Sequence, residues 1–567
     1  MTTQQIPTPA TAGAVLEGPA LERIYEHPET RALVALVNDA AELVRTKGES
    51  AFAELAKPDS RWRQAETYVF VLDPDGNMLV HLDPALEGRN VIDLKDVGGK
   101  PIIRGLVDAA TANPEKPAGW YHYQWPVPGG LLPRWKSSYV RLVQSPSGKR
   151  YVVGAGVYND RMERAFVVDA VTNAVAEIGR RGEAAFPLLR DPTGPFIAKD
   201  AYVFVIDMAS GVELLNPMFP SMEGRYVLDL RDPEGNFKHR EMFDVVRRQG
   251  AGWVDYPWPK PGESALTQKS AYVTRGMLDG RPVVVGSGVY LAEAPTAARP
   301  AATMTAAELT ALVRDAAAEF EKRGEEAYAE FRTKGTRWFH DDVYFFVVTM
   351  NGMRAFVATE PENEGKDSSG RKDVLGRPFG RMIVDVGKTP SGEGWVHYMY
   401  PQQPGAVLPT WKSTFVKRVR FPSGVQHLIG CGVYDMQMDE AFIEDVVERA
   451  AELIAEHGRD AFPLLRDKTG PFVFMDTYVF VESPDGVELV NPAFPSLEGR
   501  SLWDLRDLTG KTLVRDEVAL ALERGSGWID VHWYKPGANE PGRKHTFVRK
   551  VESRGETFVV GSGLYRD

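Results

Sequence analysis

GWYHYQWPVPG, at residues 119–129, is the first of four related stretches along this chain. WKSSYV (135–140) and GAGVY (154–158) follow it. The same order of segments returns as GWVDYPWPKPG, QKSAYV and GSGVY within 252–290, as GWVHYMYPQQPG, WKSTFV and GCGVY within 394–434, and as GWIDVHWYKPG, RKHTFV and GSGLY within 527–565. Aromatic and β-branched runs that end in Pro-Gly predict strands and turns. The rest of the chain is most simply interpreted as the remainder of four modules.

The spacing between equivalent tyrosines gives the period of this repeat. Tyr68, Tyr202, Tyr344 and Tyr478 lie 134, 142 and 134 residues apart, and the longer middle interval coincides with an Ala/Pro-rich stretch. Modules 2 and 4 share AFPLLRD and modules 1 and 3 share LP-x-WKS, which indicates a duplicated pair. Units of this length are too long for a solenoid, so each should have its own core. We predict a disordered N-terminal segment (1–28), module 1 (29–160), module 2 (161–290), a linker (291–304), module 3 (305–436) and module 4 (437–567).

Each module opens with a pattern that is typical of an amphipathic helix. In module 1, Leu33, Val37 and Val44 fall at helical spacing, and Gly48 is expected to end the helix. A β-rich run with a turn signal comes next, as in TYVFVLDPDGNMLV of module 1, and it predicts a hairpin. Every module therefore combines a long helix with strands that follow it.

Charge and cysteine content exclude several classes of protein. The 567 residues carry a formal net charge of -11, with acidic and basic residues interspersed, so nucleic acid and an anionic membrane surface are not expected as partners. The single cysteine, Cys431, excludes an internal disulfide and a Cys-based zinc site, and it should be a small buried strand residue. No stretch has the apolar length of a membrane span, and the first residues lack a signal-peptide pattern. We expect a cytoplasmic protein, or a periplasmic one if an export signal was removed before residue 1.

The ordered motifs carry a resemblance to a known family. The helix, the Tyr-Val-Phe-Val hairpin, Glu-Gly-Arg, Gly-Trp-x-x-Tyr-x-Trp-Pro-x-Pro-Gly, Lys-Ser-x-Tyr-Val and Gly-Ser-Gly-Val-Tyr together resemble the single Cache type 2 family, over nearly the whole chain and in four copies. The third copy lacks Glu-Gly-Arg. The resemblance implies an α+β, PAS-like fold in which a long N-terminal helix packs on a mainly antiparallel sheet and a ligand pocket lies on the other face. It also implies a sensor module that binds a small carboxylate or another metabolite.

Strand geometry indicates where that pocket would lie. Alternation along GWVDYPWPKPG puts Val254, Tyr256 and Trp258 on one face of the strand. Lys269 projects opposite to Ser270, and its three donors suit a carboxylate. We therefore expect a pocket with an aromatic wall, a lysine and a tyrosine or asparagine side chain, most complete in module 2. The candidate ligand-binding residues are Tyr202, Asn216, Tyr256, Trp258 and Lys269 in module 2; Tyr68, His81, Tyr123, Trp125 and Lys136 in module 1; Tyr344, Tyr398, Tyr400 and Lys412 in module 3; and Tyr478, Asn491, Trp533 and Lys544 in module 4.

Structural interpretations of the same residues stay open. The aromatic side chains suit a hydrophobic core as well as a ligand cage, and the four lysines suit solvated edge strands, where lysine discourages further pairing. His122 and His397 point away from the proposed cage, and we expect them at polar positions on the helix side or at the surface.

No motif in the sequence points to catalysis, to a cofactor or to a metal site. The sequence therefore favours a protein that binds a small organic anion without transforming it. Such a protein would act as a soluble binding protein or pass its state to a signalling protein by contact. The alternatives are an interaction scaffold whose modules have lost their pockets, and an enzyme that acts on a small carboxylate.

Overall fold

The computed structural model describes residues 25–64, 66–111, 117–158, 162–232, 235–263, 265–291, 304–401, 408–538 and 540–566. Most of the predicted N-terminal segment (1–28) and of the predicted linker (291–304) lies outside these residues. The chain divides into two compact units, Met1–Trp258 with Thr267–Ala294, and Pro259–Leu266 with Pro295–Asp567. The first unit holds modules 1 and 2 apart from the tip of one hairpin, and the second holds modules 3 and 4.

Module 1 folds into one five-stranded antiparallel sheet with helices on both faces. Its elements are α1 (Pro28–Lys47), α2 (Phe52–Leu55), β1 (Val69–Leu72), β2 (Met78–Val80), α3 (Ile102–Thr111), β3 (Ala118–Pro126), β4 (Pro133–Gln144) and β5 (Arg150–Tyr158). The strands are ordered β2-β1-β5-β4-β3.

Module 2 repeats this sheet and adds a two-stranded ribbon before it. Its elements are α4 (Arg164–Arg181), α5 (Phe186–Arg190), β6 (Ile197–Ala198), β7 (Ala201–Tyr202), β8 (Phe204–Asp207), β9 (Glu213–Leu215), α6 (Lys238–Gln249), β10 (Ala251–Pro259), β11 (Leu266–Leu278) and β12 (Arg281–Tyr290). The sheet order is β10-β11-β12-β8-β9, and β6 pairs with β7.

The second unit shows the same two arrangements in the same order. Module 3 contains α7 (Ala306–Arg323), α8 (Tyr328–Phe331), β13 (Phe345–Thr349), β14 (Arg354–Val357), α9 (Phe379–Val386), β15 (Glu393–Tyr400), β16 (Thr410–Arg420) and β17 (Gln426–Tyr434). Module 4 contains α10 (Glu440–His457), α11 (Phe462–Arg466), β18 (Val473–Phe474), β19 (Thr477–Tyr478), β20 (Phe480–Glu482), β21 (Glu488–Val490), α12 (Leu513–Arg524), β22 (Ser526–Tyr534), β23 (Pro541–Ser553) and β24 (Glu556–Arg566). Their sheets are ordered β14-β13-β17-β16-β15 and β21-β20-β24-β23-β22.

Each long helix ends at a glycine, as the sequence predicts. Gly48 caps α1 with φ of 61°, a left-handed value that glycine adopts without steric cost, and its N–H donates to the carbonyl of Val44. Gly182, Gly324 and Gly458 end the other three long helices in the same way. Among the helices of the described residues, none combines the length and the apolar character that crossing a membrane requires.

The two faces of the module 1 sheet carry separate apolar cores. In module 1, Val37 of α1 packs with Val71 and Val153 on one face. Leu106 of α3 packs with Phe70 on the other face. This confirms the expected α+β fold, with a long helix on one face of an antiparallel sheet. The second, shorter helix was not part of the prediction, and it covers the face on which the pocket was expected.

His122 and His397 lie on the long-helix face and are buried, so a surface position is wrong and a helix-side position is correct. His122 contacts the ring of Phe166, 4.8 Å between centroids, and its Nδ1 lies 2.9 Å from Ser137 Oγ. His397 stacks on Phe474 at 4.1 Å. Burial lowers the pKa of His122 to about 3, which keeps the ring neutral.

Side chains tie the modules of each pair together. Glu163 accepts hydrogen bonds from the backbone N–H groups of Glu26 and His27, at 2.9 and 3.0 Å, and so satisfies donors at the start of α1. Lys100 donates to the carbonyl of Ile197 in the β6–β7 ribbon at 2.7 Å. In the second unit, Arg377 donates in the same manner to the carbonyl of Val473.

Candidate ligand-binding site

The four candidate lysines are buried inside their sheets. Lys136, Lys269, Lys412 and Lys544 are at most 3% exposed. Each lies on a strand that pairs with a neighbour on both sides, second from the end of its sheet. The interpretation as solvated edge-strand lysines is therefore wrong. Local sequence could not decide this point, because strand order is set by pairing between distant segments.

Each lysine lies between two tyrosines. The ammonium nitrogens lie over a first tyrosine ring, at 3.8 Å for Lys136 over Tyr68, 4.0 Å for Lys269 over Tyr202, 3.9 Å for Lys412 over Tyr344 and 4.5 Å for Lys544 over Tyr478. The second tyrosine lies at or next to the end of the last strand of the module and pairs with the lysine across the sheet: Tyr158, Tyr290, Tyr434 and Tyr565. Cation–π attraction stabilises this arrangement. The sequence prediction missed the second tyrosine, although the repeated Gly-x-Gly-x-Tyr segment contains it.

In module 1, all five predicted residues come together. Trp125 donates its indole N–H to the hydroxyl of Tyr68 at 2.9 Å. The ring of His81 lies 5.2 Å from that of Tyr68 and 5.9 Å from that of Trp125, between centroids. Tyr123 contacts Trp125 at 6.0 Å, and Lys136 lies over Tyr68. Burial lowers the pKa of His81 to about 4, so the ring is neutral.

In module 2, the same cluster contains buried polar atoms with no hydrogen-bond partner. Tyr256 and Phe219 both contact Trp258, at 5.7 and 5.6 Å between centroids. Among the described residues, Lys269 Nζ, Trp258 Nε1 and Glu213 Oε2 have no partner. Two donors and one acceptor are thus left unsatisfied in one buried cluster, which is costly unless a ligand or water supplies the missing bonds.

The predicted asparagines form hydrogen bonds with a glutamate and with the backbone of a turn next to the cluster. Asn216 donates its amide to Glu213 Oε1 at 2.8 Å and accepts the backbone N–H of Phe219 at 3.0 Å. Asn491 makes the same two contacts, with Glu488 and Phe494. These amides hold a glutamate and a turn in place, so their contact with a ligand stays a prediction.

The remaining candidates of modules 3 and 4 also cluster. In module 3, Lys412 donates to the hydroxyl of Tyr344 at 2.6 Å, and Tyr398 lies 5.8 Å from Tyr400 between ring centroids. In module 4, the hydroxyl of Tyr478 accepts hydrogen bonds from Trp533 Nε1 at 3.0 Å and from Lys544 Nζ at 3.4 Å. All four modules therefore place a lysine beside aromatic rings on the face opposite the long helix.

One strand position differs in charge among the modules. The residue whose carbonyl accepts the N–H of the glycine after the hairpin is Met78, Glu213, Arg354 or Glu488 in modules 1 to 4. The methionine and the two glutamates are buried, and the arginine is nearly so. The sequence prediction missed this position, because the surrounding hairpin looks alike in all copies.

Burial brings the ionisation of these groups close to neutral pH. It lowers the pKa of Lys136 and of Lys269 to about 7, and it raises the pKa of Glu213 to about 8. An anion placed beside the lysine would favour the charged ammonium. The ionisation of the site would then depend on whether a ligand is bound.

Other titratable residues of interest have structural explanations. Cys431 is fully buried in β17, and burial raises the pKa of its thiol to about 12, as expected for a packed strand residue. Glu26, His27 and Glu163 are the one group among the described residues whose spacing would suit a metal ion. The Glu163 carboxylate already accepts the two backbone N–H groups at the start of α1.

Comparison with known proteins gives matches across the chain. Sequence profiles of the family described as Cache domain match residues 56–163, 183–439 and 436–567. Methyl-accepting chemotaxis protein McpP of Pseudomonas putida is 33% identical over 92 residues, which are 16% of this chain and 16% of that protein. The match therefore spans far less than two thirds of that receptor.

Solved structures match lengths close to one module. The periplasmic sensor domain of a chemotaxis protein is 33% identical and covers 22% of this chain and 88% of its own, with a TM-score of 0.19. A structure described as the basis for carboxylic acid recognition by a Cache chemosensory domain is 29% identical and covers 22% and 91%, with a TM-score of 0.18.

Proposed function

The chain belongs to the Cache domain family, whose domains are sensory and bind ligands, and we propose that it binds a small organic anion as a sensor or binding protein. The observation that carries the proposal is in module 2. There, Lys269 Nζ and Trp258 Nε1 are buried in one cluster without a hydrogen-bond partner among the described residues. A carboxylate would accept hydrogen bonds from both donors and carry a negative charge beside the ammonium group. The ligand would be bound and released unchanged.

The same anion site is proposed for modules 1 and 3, with different surroundings. In module 1, Met78 leaves Lys136 as the charged group of the cluster. In module 3, Arg371 donates to the hydroxyl of Tyr400 at 2.9 Å and so brings a second cation to the cluster of Lys412. We expect module 2 to accept a monocarboxylate and module 3 to favour an anion of higher charge.

We further propose that a signalling protein reads the bound state. A relative of one segment, McpP, is a chemotaxis receptor. The hydrogen bond from Lys100 to the carbonyl of Ile197 would transmit a change in module 1, since it joins the turn before α3 to the ribbon of module 2. A shift of α3 on ligand binding would move this contact.

A thermal-shift screen of the full chain tests the proposal. The ligands are acetate, propionate, lactate, pyruvate and amino acids, with 1-propanol as an uncharged control. A ligand at 100 times its Kd stabilises the binding module by about 2.7 kcal/mol. We expect a shift with one class of carboxylate and none with the alcohol. No shift with any anion would overturn the proposal and favour a scaffold without working pockets.

A further inference from the structure

Module 4 contains a group of buried acidic side chains that the other modules lack. Glu482, Glu488 and Glu517 are all buried on the face that also holds Lys544. They interact electrostatically with one another and with that lysine. Three carboxyl groups therefore interact with one ammonium group, and once they are ionised the net charge of this cluster is negative, the opposite of the charge proposed for the anion sites.

Two of these glutamates replace apolar residues. Glu482 pairs with Val559 in the sheet, and at this register position the other modules have Leu72, Ile206 and Val348. Glu517 lies six residues after Lys511, whose carbonyl accepts a backbone hydrogen bond in the turn before α12. Six residues after the equivalent turn residue, the other modules have Leu106, Met242 and Ile383. The fold does not require a carboxylate at either position, so these two carboxylates are candidates for a role in binding.

Where the other modules have a tyrosine ring, module 4 has a smaller side chain and unsatisfied polar atoms. Val531 stands opposite Lys544, where Tyr123 and Tyr398 stand in modules 1 and 3. Those tyrosine hydroxyls bond to the hydroxyls of the residue equivalent to Thr546. Among the described residues, Thr546 Oγ1 and Glu482 Oε2 have no hydrogen-bond partner, although both side chains are buried. Two acceptors thus remain open where a ring has been removed.

The charge and the spacing define the class of ligand. Within the described part of the chain, the oxygens of these three glutamates do not meet within the 4.8 Å that a shared metal ion would need. An ammonium group has three N–H donors, and two glutamates and Thr546 offer carboxylate and hydroxyl acceptors for them. We infer that module 4 binds a small organic cation with a primary ammonium group, and that Glu482, Glu517 and Thr546 accept its hydrogen bonds. This site is separate from the anion site proposed for module 2.

Protonation of the empty site gives the binding a pH dependence. Burial raises the pKa of Glu488 to about 8 and that of Glu517 to about 7, and it raises the pKa of Glu482 as well. The other charged groups that influence these glutamates are Lys544 on β23, Asp516 on α12 and Glu498 after β21, and Asp476 before β19 acts on Lys544. A bound cation favours the ionised carboxylates, so binding releases protons. Affinity should therefore rise with pH, by up to about tenfold per unit for each proton released.

Isothermal titration of the full chain tests the inference. The probes are methylamine, propylamine, ethanolamine and 1,4-diaminobutane, with 1-propanol and propionate as neutral and anionic analogues of propylamine. We expect at least one amine to bind, more tightly at pH 8 than at pH 6, with 1-propanol at least tenfold weaker. Failure of all four amines to bind, or equal binding of amine and alcohol, would overturn it.

Two variants of module 4 and one of module 2 make the test specific. Glu482→Val with Glu517→Ile installs the residues of module 3, and it should fold, gain thermal stability and lose amine affinity at least tenfold. Val531→Tyr keeps every carboxylate but restores the ring, and it should lose affinity as well. Lys269→Met should leave amine binding unchanged, so a failed anion site and a failed cation site are told apart. Retained amine affinity in the folded double variant would overturn the inference.

Discussion

The ammonium nitrogen of Lys136 lies 3.8 Å from the centre of the Tyr68 ring, so the aromatic cluster of module 1 encloses the protein's own cation. The other three modules repeat this contact. Aromatic rings attract a cation but do not neutralise it. The rings therefore position the lysine, and the lysine stays available for an anion. The aromatic wall that the sequence predicts as a ligand cage thus packs around the lysine that is proposed to bind the ligand.

Lys269→Met should weaken binding of the anion found in the thermal-shift screen. The loss of a hydrogen bond to a charged group corresponds to about 1.5 to 3 kcal/mol. Isothermal titration would measure the affinity, and Lys238→Met, a partly exposed lysine at the start of α6 that pairs with Glu241, is the matched control. Unchanged affinity in a folded Lys269→Met protein would contradict the role of this residue.

Lys136→Met should stabilise the protein most at low pH. Burial lowers the pKa of Lys136 to about 7 in the folded chain, against about 10.4 in an unfolded one. Between these values the unfolded chain binds more protons, so the unfolding free energy of the wild type rises with pH. The advantage of the variant should be roughly 1 to 4 kcal/mol near pH 6 and should shrink towards pH 10. Calorimetric melting temperatures at several pH values measure it, and a difference independent of pH would argue against a buried, titrating lysine.

Gly156→Ala and Gly179→Ala should have opposite effects on stability. A Cβ at Gly156 would lie 2.4 Å from Ser138 Oγ and 2.5 Å from Lys136 Cε, so the lysine would have to move, at a cost of roughly 1 to 3 kcal/mol. A Cβ at Gly179, inside helix α4, meets nothing within 4 Å, and alanine should add about 0.4 to 1 kcal/mol there. The two melting temperatures should shift in opposite directions, and equal shifts would mean that the contact at the lysine is not tight.

Glu163→Ala should weaken the connection between modules 1 and 2. It leaves the backbone N–H groups of Glu26 and His27 without their acceptor, at a cost of about 1 to 3 kcal/mol. Glu163→Gln keeps one oxygen acceptor and should lose less. The exposed Asp93→Ala is the control, and it should change stability by less than about 0.5 kcal/mol. If alanine and glutamine reduce the melting temperature equally, the carboxylate is not the capping group.

Local patterns were enough to predict the long helices, the hairpins and the family, but not the second helix of each module or the two-stranded ribbons. The helical spacing that ends at Gly48 and the hairpin signals correspond to α1 and to β1–β2. The ordered motifs led to the Cache family, which the profile matches confirm. Side-chain alternation put Tyr256 and Trp258 on one face, and the structure has them in contact.

The burial of the candidate lysines could not be predicted from local patterns, because it depends on pairing between distant segments. Burial of Lys269 depends on β11 lying between β10 and β12, and this order is a property of the whole sheet. The role of Glu213 was invisible because strand alternation does not tell which face a second helix will cover. The sequence predicts Asn216 as a ligand contact, which stays a prediction, but it did not predict that the amide donates to Glu213.

At the strand position occupied by Met78, Glu213, Arg354 and Glu488, the side chain differs among the modules while the backbone hydrogen bond stays the same. The backbone there makes the same hydrogen bond whichever side chain is present, so the architecture tolerates a neutral, an acidic or a basic residue. Under the proposed function, a substitution at this one position would change which compounds a module binds while the other modules keep their preferences. The four modules would then bind chemically different compounds at the same time, and one polypeptide would respond to their combination.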